Sequence, residues 1–157
     1  MAHHVVNAPA SEPPDSLYER DYYMWALEQA RELRAQNTEA LDWENLAEEV
    51  EGLARAEARE LRSRLEVLLV HLLKWRHQRH KRSTSWRLTI REQRRRVAQM
   101  INENPGLKRL RQRSITEAYE MARLVTARET KRAEENFPPA SPWSFDEITS
   151  DDFWPNS

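Results

Sequence analysis

The chain has 157 residues, 32% of them charged and 39% hydrophobic, with two glycines, no cysteine and a formal net charge of −1. Without cysteine there is no disulfide framework, thiol nucleophile or thiolate metal site. Two glycines are too few for a P-loop or a dinucleotide fingerprint, and too few for the tight turns of a hairpin-rich β fold. The remaining class is all-α: a single domain, laid out as an antiparallel four-helix bundle with one long central helix and an irregular C-terminal tail.

Residues 1–15 are small, polar and proline-bearing and read as a disordered lead-in to a helical domain over residues 16–132. They lack a basic run followed by an apolar stretch, so a secretory signal is not expected and the cytoplasm is the expected compartment. Ser16-Leu17-Tyr18-Glu19 has the form of a capping box and opens a first helix reaching about Ala35. Tyr22-Tyr23-Met24-Trp25 is apolar all round, which predicts a helix covered on two sides. Asp42 is a good N-cap for a second helix from Trp43 to His77, with Leu46, Val50, Leu53, Leu61, Leu65, Leu68, Leu72 and Trp75 at helical spacing. Its most apolar part, Leu65 to Trp75, is interrupted by Glu66, His71 and Lys74, and about twenty residues are needed to cross a bilayer; no membrane segment is expected. Gln78 to Ser85 is a turn. A third helix carries Trp86, Ile90, Val97 and Ile101 inward until Asn102 to Gly106 breaks it, and a fourth uses Leu107, Leu110, Ala118, Tyr119, Ala122 and Val125, fading near Lys131. Residues 133–157 form a proline-containing tail, packed on the bundle, in which Ser144 to Glu147 caps a short turn.

Charge is unevenly laid out. Glu12 to Glu66 holds fifteen acids and seven bases; His71 to Arg113 holds fourteen bases against Glu92 and Glu103; the remainder holds nine acids and four bases. Antiparallel packing brings the loops near residues 40 and 105 to one pole. There Lys108, Arg109, Arg111 and Arg113 would be neutralised by the acidic Glu39 to Glu51 stretch. The turn at the other pole keeps its excess of positive charge.

Several segments match one pattern in order: Tyr18 to Trp25, Leu41 to Glu49, Leu65 to Trp75, Ser85-Trp86-Arg87, Glu92 to Arg96 and Phe153-Trp154-Pro155. Together they resemble the bacterial helical family catalogued as domain of unknown function 29, over roughly residues 16 to 155. The resemblance implies an all-α domain and transfers no activity, cofactor or site.

The residues themselves favour no catalytic set. His71, His77 and His80 lie close in sequence, but no Glu stands three residues before any of them, and His77 and His80 sit among cations that repel a metal. Metal and cofactor are therefore not expected. Glu44, Glu48, Glu49 and Glu51 read as a solvated stripe near a helix N-terminus. The expected function is a non-catalytic interaction module that binds another protein or a second copy of itself through Tyr22, Tyr23, Met24 and Trp25. The alternative is a nucleic-acid or polyanion binder using Arg76, Arg79, Lys81, Arg82 and Arg87, with Trp75 and Trp86 flanking the turn. The pI of about 6.5 disfavours that alternative, because dedicated nucleic-acid domains are strongly basic. An enzyme of unknown class is the third reading.

Overall fold

Ser16 N-caps the first turn through a reciprocal capping box with Glu19, as its sequence predicts. The computed structural model describes residues 16–156; the lead-in expected over residues 1–15 lies outside them. Among the described residues the fold is all-α, with no strand. The first helix is not continuous. α1 (Leu17–Arg20) stops at Asp21, whose extended backbone lets its carboxylate accept the Met24 N–H at 3.0 Å and start α2 (Tyr22–Arg34). A short acidic side chain that competes for backbone N–H groups favours a cap over a helix interior, and here it resets the chain.

α3 (Trp43–His77) has the bounds its periodicity predicts and runs unbroken through Gly52. The chain divides into two compact units at that glycine, residues 1–52 and 53–157.

In the first unit, α2 runs antiparallel to the start of α3. The Tyr18 and Tyr22 hydroxyls donate to Glu49 at 2.6 and 2.8 Å. Trp25 Nε1 donates to Asp42 at 3.0 Å, and the Asp42 N–H donates to Gln29 at 2.8 Å. The rings of Tyr18, Tyr22 and Trp25 contact one another, with centroids 4.8 to 5.7 Å apart.

In the second unit, α3 continues into α4 (Thr84–Glu103) and α5 (Arg111–Thr130). Ser83 caps α4 by accepting the Trp86 N–H at 3.2 Å. The fourth helix begins later than expected: Pro105–Leu110 is a 3-10 segment, since Pro105 supplies no N–H and starts a turn readily. α5 ends at Lys131, in the left-handed region. Arg62 pairs with Glu117 at 3.0 Å and Lys74 with Glu129 at 2.8 Å. Both pairs span 55 positions, so α3 and α5 run parallel in fixed register with α4 as the return stroke. Leu61, Leu65, Leu68, Leu69, Leu72, Ile90, Val97, Ile115, Ala118 and Ala122 make the core.

The C-terminal segment packs on this core. Phe137 and Ile148 are buried, and α6 (Phe145–Thr149) carries the second capping box, Ser144 with Glu147. Tyr119 donates its hydroxyl to the Pro138 carbonyl at 2.7 Å, and Arg123 reaches Glu134 at 2.9 Å.

Candidate functional site

The turn between α3 and α4 contains the five cations expected to bind a polyanion, and the structure gives them different employments. Arg82 Nε donates to the Trp75 carbonyl at 2.8 Å, and its guanidinium lies 4.9 Å from the Trp75 ring centre. Arg87 stands 5.6 Å from both the Trp75 and Trp154 rings, and Arg76 stands 5.9 Å from Trp143. Arg79 and Lys81 are exposed on the 3-10 turn Arg79–Lys81. Trp75 is buried against Trp154, 4.8 Å between centroids; Trp86 is half-buried against the core with Lys74 4.9 Å over its ring. The turn is thus a clasp, in which cations and indole rings from α3, α4 and the C-terminal segment interleave. Such contacts strengthen as water is excluded.

The residue that organises the clasp was not singled out by sequence reasoning. Arg94 is 1% exposed. Its Nε donates to the Ile148 carbonyl at 2.8 Å, one terminal nitrogen to Asp151 at 3.4 Å and the other to Phe153 at 2.5 Å; Trp154 covers the guanidinium at 5.2 Å. Burial pulls its pKa below the ordinary arginine value, and arginine stays charged in proteins all the same. The signal was available: Arg94 lies four residues after Ile90 and three before Val97, on the apolar stripe, while Arg95 and Arg96 face solvent.

The other polar and aromatic candidates fall elsewhere. In the first unit Trp25 is buried, but Tyr22, Tyr23 and Met24 are exposed, so the expected cover on two sides is not supplied by the described residues. Tyr18, hydrogen-bonded to Glu49 and partly desolvated, has its phenol pushed up to about 12. Hydrogen bonds from Asn45 and Trp25 hold the Asp42 carboxyl below its usual range. Arg113, expected beside the acidic Glu39 to Glu51 stretch, finds its acid on its own helix instead, Glu117 at 2.8 Å.

The histidines serve the fold. His71 Nδ1 donates to the Val67 carbonyl at 2.8 Å. His77 stands edge-on to Phe137 at 4.9 Å, and its Nε2 is buried without a hydrogen-bond partner among the described residues. Burial lowers both pKa values; Lys74 adds to this at His71, where the Val67 bond and Glu129 oppose it, and Arg76 and Arg132 add to it at His77. The unfolded chain therefore binds more protons than the folded one just below the ordinary histidine pKa, so stability is full above about pH 6.5 and declines as pH falls. We expect the thermal midpoint to drop between pH 7.5 and 5.5, and to drop less in His77→Leu. Identical pH profiles for the two proteins would refute this assignment.

The parallel α3–α5 core and the arginine-held C-terminal segment define a helical second unit whose C-terminal segment is tied down by its own cations. The chain belongs to the family described as Domain of unknown function DUF29, whose family model matches residues 17–154. No curated protein and no solved structure matches the chain. Among the described residues no helix is long and apolar enough to cross a membrane, and no group of three or more His, Asp or Glu side chains is placed to hold a metal ion.

Proposed function

We propose that the protein is a non-catalytic interaction module that pairs with a second copy of itself through the outer faces of the α2–α3 hairpin. One observation carries this reading. Among its described hydrophobic residues the first unit buries only Trp25, while Tyr22, Tyr23, Met24, Leu27, Leu33, Trp43 and Val50 are exposed, Tyr23 to 70% and Trp43 to 61%. Apolar surface on that scale marks an interface. A helix hairpin with apolar outer faces is half of a four-helix bundle, and a second hairpin supplies the missing half.

We take a second copy of the same chain as the occupant, and the charges of α2 support that choice. α2 is capped by Asp21 and carries Arg31 and Arg34 in its last turn; Arg31 pairs with Glu28 and Glu32, so antiparallel pairing sets Arg34 of one copy toward Asp21 of the other. Two-fold pairing needs this kind of self-complementary surface. A bacterial setting, which the resemblance implies, and a cytoplasmic one, expected from the sequence, belong to the same proposal.

Leu27→Glu combined with Val50→Glu places charge on both exposed faces and removes no buried contact. The expected result is conversion of a dimer to a folded monomer, read by size-exclusion chromatography with light scattering and by unchanged helical circular dichroism. A variant that kept the wild-type mass would sink the proposed interface.

A further inference from the structure

We infer that a cleft between α3 and the start of α5 is a binding site for a small molecule carrying two or more linked phosphate groups. The cleft has a volume of about 420 Å³ and is lined by Arg55, Arg59 and Arg62 of α3 and by Arg113, Ser114 and Glu117 of α5. Four guanidinium groups face one carboxylate there. Arg62 donates to one Glu117 oxygen at 3.0 Å and Arg113 to the other at 2.8 Å. Those bonds, from Arg113 first and Arg62 second, hold the Glu117 carboxyl below its usual range. One negative charge is thus shared by two arginines, each with N–H donors to spare. Arg55 has interactions of its own, and Arg59 has no hydrogen bond or ion pair among the described residues.

The fold accounts for part of this row, since Arg62 pairs with Glu117 and Arg55 has interactions of its own, but not for Arg59. Arg55, Arg59 and Arg62 stand at i, i+4 and i+7 on one helix face, where like charges repel and destabilise the helix. Arg59 makes no hydrogen bond or ion pair among the described residues that would offset the repulsion. A bound anion offsets it directly. Arginine forks match phosphate oxygens bidentately, which favours phosphate over a halide or a lone point charge. The row extends roughly 10 Å along the helix, more than one phosphate group covers, hence a ligand with several.

The test is isothermal titration of the full chain with tripolyphosphate, orthophosphate and citrate at matched ionic strength. Tripolyphosphate is expected to bind saturably at one per chain, with orthophosphate weaker by about tenfold or more, since fewer charge-assisted bonds form. Arg59→Ala and Arg113→Ala are each expected to weaken tripolyphosphate by about tenfold, whereas Arg79→Ala, the same charge loss on the distant turn, leaves it unchanged. Arg59→Ala removes no hydrogen bond or ion pair among the described residues, so its result stands even if Arg113→Ala perturbs α5. An absence of saturable heat, equal weakening by Arg79→Ala, or citrate binding as tightly as tripolyphosphate would each overturn the assignment.

Discussion

Arg94→Ala is expected to destabilise the protein by about 3–5 kcal/mol and to release the C-terminal segment from the core. The side chain is buried, and its charge-assisted donors satisfy the carbonyls of Ile148, Asp151 and Phe153. Truncation leaves those acceptors facing a cavity beneath Trp154. It removes the link between α4 and α6 while the leucine core of α3 is untouched. Arg94→Lys should recover little, because one ammonium on a flexible stem cannot fork to three carbonyls. Urea denaturation gives the stability change, and limited proteolysis should cut the segment after Phe145 in the variant first. A loss below about 1 kcal/mol, the range of an ordinary surface change, would mean that the arginine is not the clasp's anchor.

Trp75→Ala is expected to cost about 3–5 kcal/mol, the usual range for removing a large aromatic from a core. The ring is buried between Trp154 and the guanidiniums of Arg82 and Arg87, so the substitution opens a cavity, leaves Arg82 without its aromatic surface and leaves Arg87 with Trp154 alone. The half-buried Trp86 makes a useful contrast. Its replacement by alanine should cost less, about 1–2 kcal/mol, because less apolar area is lost. Chemical denaturation of both variants checks the order. If Trp86→Ala proved the more damaging, the ring at the centre of the clasp would have been misidentified.

The helices were largely legible from spacing. The step of three and four residues from Trp43 to His77 gave α3 its full length, because a long amphipathic helix declares its period over many turns. The break at Asp21 was not legible in the same way. Ser16 and Asp21 are both good caps, and only the backbone geometry shows that both are used. Periodicity also cannot tell which part of a stripe its own chain will cover. The leucines from Leu61 to Leu72 are core, whereas Val50, about three turns before Leu61 on the same helix, is 64% exposed.

The charged residues were the harder problem. Arg94 lies within the charged run Glu92 to Arg96, yet it turns inward, and what holds it there are carbonyl groups more than fifty residues away. Likewise Arg82 and Arg87 read as free cations until Trp75 and Trp154 are brought against them. Backbone acceptors and ring faces leave little trace in sequence. The row Arg55, Arg59, Arg62 was not singled out in the sequence, because its meaning depends on Arg113 arriving from α5.

The most direct test of the proposed function is sedimentation velocity of the wild-type chain across a concentration series from low micromolar to several hundred micromolar. Pairing through the α2–α3 hairpin predicts a shift toward a single dimeric species as concentration rises. A lone monomeric boundary over the whole series would contradict it.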